Sequence, residues 1–125
     1  RGREALRVLV VDDEQFVRET LADMVEALGH EVASAAGGRE ALAALEEAPA
    51  DFVFTDLSMP GMDGWEFARE VRRRWPATRV CIVTGYGKDL SHDAPDEHPP
   101  ADAVIGKPFD FEQVEETLAR LSSRQ

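Results

Sequence analysis

The stretch VLVVDDE, Val8 to Glu14, decides how this chain is read. Four apolar residues, three of them β-branched, make a run of the length and composition of a strand buried on both faces. The run ends abruptly in three consecutive acids. Adjacent carboxylates repel, and each resists losing its water, so such a cluster persists most easily at a solvent edge or around a bound cation. What lies further along the chain decides between the two.

Working outward, Val17, Leu21, Met24, Val25 and Leu28 fall at helical spacing, and Gly29 stands where a helix often ends in a left-handed residue. Glu31 to Ala35 reads as a weaker second strand. Gly37 and Gly38 make a turn, and Ala41, Leu42 and Leu45 form a short helical stripe that stops before Pro49. Phe52 to Phe54 is the clearest further buried strand, Trp65, Ala68, Val71 and Trp75 mark a third helix, and Val80 to Val83 make a fourth strand. Ala103 to Ile105 is a short fifth. Asp110 is then an N-cap with Gln113 three residues on, and Phe111, Val114, Leu118 and Leu121 line one face of the closing helix. Strict alternation of strand and helix implies an α/β fold with a doubly wound, five-stranded parallel sheet and right-handed crossovers. At this length the flavodoxin-like order 2-1-3-4-5 fits, with ligands bound outside the carboxyl ends of the strands, at the switch point between the first and third.

Composition sets the outer limits. With 125 residues, 43% of them hydrophobic, the chain has material for one ordinary core. The 25 acids against 14 Lys plus Arg give a formal charge of −11, which would repel duplex DNA or an anionic membrane surface. One cysteine, Cys81, excludes an internal disulfide and reads as a small buried hydrophobe in a reducing compartment. No apolar run approaches the roughly 18 residues of a membrane helix, and the opening is too short and too soon acidic for a signal peptide, so a cytoplasmic location is expected. The chain starts at Arg1 rather than Met and reads as a single domain over residues 1–125, excised from a longer protein.

In the expected topology Asp12 and Asp13 close the first strand, Asp56 the third and Thr84 the fourth, and Lys107 follows the fifth. All five should meet at one edge of the sheet. Singly, each is an ordinary polar residue at a strand end. Together, three carboxylates, one ammonium and one hydroxyl form a specific set. Mg²⁺ is the matching cation, because it takes hard oxygen ligands, uses few protein carboxylates and leaves room for phosphate oxygens. Zinc would require His or Cys there. A phosphoryl group could share its oxygens among Mg²⁺, Lys107 and Thr84, the neutralisation that phosphoryl transfer needs.

With these residues in place the chain resembles the receiver (CheY-like) domains of bacterial two-component response regulators. The resemblance covers essentially the whole chain and rests on VLVVDDE at 8–14, TDLSMPGMDGWE at 55–66, VTGYG at 83–87 and GKPFD at 106–110, in that order. It implies that Asp56 is the phosphoacceptor, attacking a phosphohistidine on a histidine kinase or phosphotransfer domain. By the same resemblance Asp13 binds Mg²⁺ directly, Asp12 mostly through water, and the Ser58 backbone carbonyl completes the protein ligands, with Asp56 itself in the metal's shell. Thr84 and Lys107 hold the phosphoryl oxygens, Lys107-Pro108 is a cis peptide, and Gly61 and Gly64 shape the loop after Asp56. The implied domain is a switch, not an enzyme acting on a separate substrate: it catalyses phosphoryl transfer to itself and its own hydrolysis, at a rate set by Ser58 and Tyr86. Modification of Asp56 would draw Thr84 inward and shift the population of conformations. TGYG and DAVIGKPF are similar to receivers joined to hybrid histidine kinases, which makes an intramolecular kinase or effector domain an expected partner.

Two departures from the family pattern stand out. Val104 occupies the place, three residues before the lysine, where an aromatic commonly acts as a rotamer switch. Residues 88–102, KDLSHDAPDEHPPAD, hold three prolines and only Leu90 as a large apolar residue, so a short or irregular segment is expected where the fold calls for a helix. His92 and His98 read as solvated, Trp65 and Trp75 as helix packing, and Arg72 to Arg74 as the solvated end of a helix. Among rivals, a haloacid-dehalogenase-like phosphatase needs a second Asp where Ser58 stands. Flavin binding would set a phosphate against Asp12, Asp13 and Glu14. The remaining alternative is a phosphorylation-independent, receiver-like docking module.

Overall fold

The first hydrophobic run folds as the strand β1 (Arg7–Val11), buried from Val8 onward, and the computed structural model describes residues 5–85 and 101–122 around it. Helix α1 (Gln15–Ala27) follows and is closed by Gly29 at φ 97°, the left-handed residue its sequence position suggests. Then come β2 (Glu31–Ala35), α2 (Gly38–Glu47), β3 (Phe52–Asp56), α3 (Gly64–Arg74), β4 (Arg79–Thr84), β5 (Ala103–Gly106) and a final helix α4 (Phe111–Ser122). All strand pairings are parallel and the order is β2-β1-β3-β4-β5.

The period of two along each strand sorts the core into two layers. Leu9, Val11, Val53, Val80 and Ile82 point to one face and pack with Ala41 and Leu45 of α2 and Trp65, Ala68 and Val71 of α3. Val8, Val10, Phe52, Phe54, Cys81 and Val83 point to the other and meet Leu21 and Val25 of α1 and Val114, Leu118 and Leu121 of α4. Because both faces are covered, the central strands read as unbroken apolar runs and not as alternating ones. Burying each such side chain contributes about 1.5–3 kcal/mol, so the central strands are the most firmly held part of the sheet.

Register then brings the strand ends level. Val11 lies opposite Thr55, Asp56 opposite Val83, and Thr84 opposite Gly106. Asp12, Asp56, Thr84 and Lys107 therefore emerge at one edge. Both later helices begin in reciprocal caps: Asp63 accepts from the Glu66 amide while Glu66 accepts from that of Asp63, and Asp110 and Gln113 repeat the arrangement.

Several expectations need correction. Phe111 belongs to the first turn of α4 but is 42% exposed, because the buried stripe of that helix begins at Val114. The Arg72 to Arg74 cluster is engaged and not merely solvated: Arg74 pairs with Glu46 of α2 and Glu70, Arg73 with Glu70, and Arg72 with Asp102. Arg74 also stacks on Trp75, 4.6 Å from the ring centroid. Cys81 is fully buried, and burial pushes its thiol up to about 12. Tyr86, Leu90, His92, His98 and the expected irregularity of the segment up to Pro100 lie outside the described residues.

Candidate functional site

The carboxyl ends of β1 and β3 are neighbours in the sheet, so the acids that close them must converge. Carboxylate oxygens of Asp12, Asp13 and Asp56 all lie within 4.8 Å of one another. Asp12 and Asp56 are buried and Asp13 is exposed, so the cluster opens to solvent on one side.

Each buried acid is held by its surroundings. The Asp12 amide donates to the Ala35 carbonyl at 3.1 Å, which continues the β1–β2 ladder one step past the strand. Asp12 Oδ1 accepts the Glu14 amide at 2.9 Å, and its carbonyl accepts from the Arg18 guanidinium at 2.9 Å. Asp56 Oδ1 accepts the Leu57 amide at 2.9 Å, and Gly64 donates to the Leu57 carbonyl at 2.8 Å. That second contact draws the start of α3 tightly against the end of β3. A Cβ on Gly64 would meet the Asp56 carbonyl oxygen at 2.5 Å and Leu57 Cα at 2.9 Å. Gly61, in the same loop, takes φ 87°, the conformation in which glycine alone is unstrained.

Lys107 supplies the counter-charge. Its Nζ lies 3.2 Å from Asp56 Oδ1 and 3.3 Å from Asp12 Oδ2. The peptide that precedes it is anchored, since the Lys107 amide donates to the Thr84 carbonyl at 2.8 Å; the peptide that follows, Lys107-Pro108, is cis. Burial raises the Asp56 carboxyl above its ordinary value and the charge of Asp12 adds to this, against the opposing pull of Lys107 and the Leu57 amide. Burial acts to lower Lys107, but the two carboxylates outweigh it and hold the ammonium above its usual value.

Of the residues singled out in the sequence, Asp12, Asp13, Asp56 and Lys107 come together directly. Thr84 is buried at the end of β4 and is joined to Lys107 through its own carbonyl. Ser58 lies two residues past Asp56 in the loop, with its side chain exposed. The sequence reading missed Arg18 and the Leu57 amide. Arg18 had a signal, since it lies six residues past Asp12, where the first turn of α1 carries it back over the strand end. A backbone amide has none.

The donor set suits Mg²⁺: hard oxygens, one open side, and a lysine beside them that could share a phosphoryl anion with the metal. Parallel α/β topology with this site at the switch point defines a class of doubly wound domains that handle phosphoryl chemistry at the strand ends. The response regulator receiver domain model matches residues 8–119, and the chain belongs to that family, the signalling-switch domains of two-component systems. Among curated relatives, the sensor kinase CckA of Brucella abortus is 37% identical over 94% of this chain, which spans 13% of that protein. The chemotaxis protein CheY of Thermotoga maritima is 32% identical over 93% of the chain and 97% of its own length. The solved structure of the response regulator TrrA of Thermotoga maritima, in complex with Mg²⁺ and BeF, superposes with a TM-score of 0.78 at 34% identity, over 92% of this chain and 97% of that one. Among the described residues no helix is long and apolar enough to cross a membrane.

Proposed function

We propose that Asp56 accepts a phosphoryl group from a phosphohistidine and that the domain carries the resulting signal. The observation behind this reading is the Lys107 ammonium set between Asp56 and Asp12, 3.2 and 3.3 Å away, beside a third carboxylate. An Asp56 oxygen would bond to phosphorus as the bond from phosphorus to the donor imidazole breaks, the electron pair leaving with the nitrogen. Lys107 and the Thr84 hydroxyl would hold the phosphoryl oxygens. Asp12, Asp13, Asp56 and the Ser58 backbone carbonyl would hold Mg²⁺. When bound, the metal supplies charge neutralisation for the transferring group. The same groups would serve self-catalysed transfer and the later hydrolysis by water.

A histidine kinase or phosphotransfer domain is the proposed donor. Phe16, 80% exposed, lies in the first turn of α1, and Phe111, 42% exposed, begins α4, so two exposed apolar side chains stand at the starts of the helices that follow β1 and β5. That pairing suits the apolar face of a helical partner. A location in the cytoplasm and a place as one domain, 1–125, within a longer protein holding a kinase or effector belong to the same proposal.

The test is intact mass after incubation with a small phosphoryl donor and Mg²⁺, against Asp56→Asn and an EDTA control. One phosphoryl group gained by the native chain and lost in both controls supports the reading. No gain despite Mg²⁺ binding would move the assignment to the phosphorylation-independent docking module.

A further inference from the structure

Asp102 stands five residues before Lys107, at the entrance to β5, and makes more contacts than an exposed loop acid would. Its Oδ2 accepts the Val80 amide at 2.8 Å, and its own amide donates to the Val80 carbonyl at 2.7 Å. Its Oδ1 lies 3.6 Å from guanidinium nitrogens of both Arg72 on α3 and Arg79 on β4. The carboxylate is only 16% exposed. The neighbouring Ala101 packs against the core layer of α2 and α3.

The strand that follows packs Ala103 and Ile105 on the core layer of α1 and α4, but it is short and lies at the edge of the sheet. β5 has four residues, pairs among the described residues with β4 alone, and turns Val104 outward at 38% exposure. A short edge strand with one ladder opens easily. The ring closed by Asp102 and Val80 sits one residue ahead of the first ladder pair, Cys81 with Ala103, so the carboxylate adds one more rung. At the far end the last ladder pair is Thr84 with Gly106, the Lys107 amide adds a bond to the Thr84 carbonyl, and the Lys107 side chain reaches from there to the acids. A strand advances roughly 3.3 Å per residue. A slip of one residue would thus shift Lys107 by about as much as its whole 3.2 Å separation from Asp56.

We propose that Asp102 is a positioning residue for the phosphoacceptor site: by fastening the entrance of β5 to Val80, Arg72 and Arg79, it sets how far Lys107 reaches into the acid cluster. This rests on the phosphoacceptor reading of Asp56 and deepens it. Asp102 stands outside the cluster of Asp12, Asp13 and Asp56 and acts through the strand. Its loss should separate two properties of the site. Mg²⁺ would be held by the acids at the ends of β1 and β3, to which Asp102 makes no direct contact, whereas a phosphoryl-like anion would depend on Lys107.

The experiment compares the native chain with Asp102→Ala and Asp102→Asn by calorimetric titration of Mg²⁺, then of beryllium fluoride in saturating Mg²⁺, and by amide hydrogen exchange in the metal-free protein. For Asp102→Ala, exchange at the Gly106 and Lys107 amides should accelerate about tenfold while the β1 and β3 amides keep their protection. Beryllium fluoride affinity should fall about tenfold, and Mg²⁺ affinity should hold or rise as the ammonium withdraws from two of the carboxylates. Asp102→Asn should recover part of the loss, because its side-chain oxygen can still accept the Val80 amide. Parallel weakening of both ligands with uniform loss of protection would reduce Asp102 to a general stabiliser and overturn the proposal. So would native values throughout. If the native chain binds Mg²⁺ but no beryllium fluoride, the phosphoacceptor reading fails, while exchange at Lys107 still decides the role of Asp102.

Discussion

The Lys107 ammonium lies 3.2 Å from Asp56 Oδ1, yet the Asp56 carboxyl is still raised above its ordinary value. One lysine cannot offset both the burial of Asp56 and the neighbouring charge of Asp12. In the metal-free protein the ionised Asp56 therefore costs stability, a cost that a second cation would relieve.

The neutral isostere should remove that cost. Asp56→Asn is expected to be more stable than the native chain at pH 7 without divalent cations. The sign follows from linkage: a carboxyl raised in the folded state favours folding most below its unfolded value, about 3.9, and that contribution is lost as pH rises through the folded value. The advantage of Asn should thus shrink as pH falls toward 4. Urea unfolding from pH 4 to 8 with EDTA measures it, and equal stabilities at pH 7 would sink the idea. Added Mg²⁺ should stabilise the native chain more than Asp56→Asn.

Gly64→Ala should be costly for a steric reason. Its Cβ would fall 2.5 Å from the Asp56 carbonyl oxygen and 2.9 Å from Leu57 Cα, and neither backbone atom can swing aside as a side-chain tip would. A loss of about 1–3 kcal/mol is expected, with weakened Mg²⁺ binding because the carboxylate moves with its backbone. Gly61→Ala meets no atom within 4 Å and should cost only the strain of its positive φ, about 1–2 kcal/mol. Denaturant unfolding with Mg²⁺ titration separates the two. Unchanged Mg²⁺ affinity in a folded Gly64→Ala would count against the coupling.

Much of this was legible in the chain because the relevant signals are local. Strands buried on both faces announce themselves as runs such as Val8 to Val11, and Asp110 with Gln113 forms a cap within one turn. Once the strands were ordered, Asp12, Asp56 and Lys107 had to converge. What stayed hidden depends on tertiary distance. Arg74 finds Glu46 from a different helix, 28 residues away, and Asp102 finds Val80, Arg72 and Arg79 only because β5 lies beside β4. Phe111 was misplaced for a smaller reason: helical spacing puts it in line with Val114 and Leu118, but the first turn of α4 extends beyond the core layer.

The cap of α3 supports the loop that leaves Asp56. Asp63 accepts the Glu66 amide at 2.9 Å, and Glu66 returns the bond at 3.0 Å. Asp63→Ala should lower stability by about 1 kcal/mol, and Asp63→Asn by much less, since Asn also caps well. Thermal unfolding of the pair checks this, and equal losses would show that charge matters more there than the hydrogen bond.

Cys81 offers a probe of the other core layer. It is fully buried opposite Phe54, in the core layer that also holds Val10 and Val114, and burial holds its thiol up to about 12. The thiolate is the reactive form, so an aromatic disulfide reagent at pH 8 should label the native protein only through opening of the sheet. Labelling should be orders of magnitude slower than in urea. The raised value also predicts a pH effect of definite sign. Below about 8.5 the thiol is protonated in both states and contributes nothing to the pH dependence. From there up to about 12 the unfolded chain releases a proton that the folded chain keeps, so stability falls as pH rises. Cys81→Ser would place a hydroxyl in an apolar layer and lower stability at every pH, whereas Cys81→Ala should flatten the alkaline slope relative to the native chain. If the slope between pH 8.5 and 10 is the same with and without the thiol, Cys81 is not the group responsible.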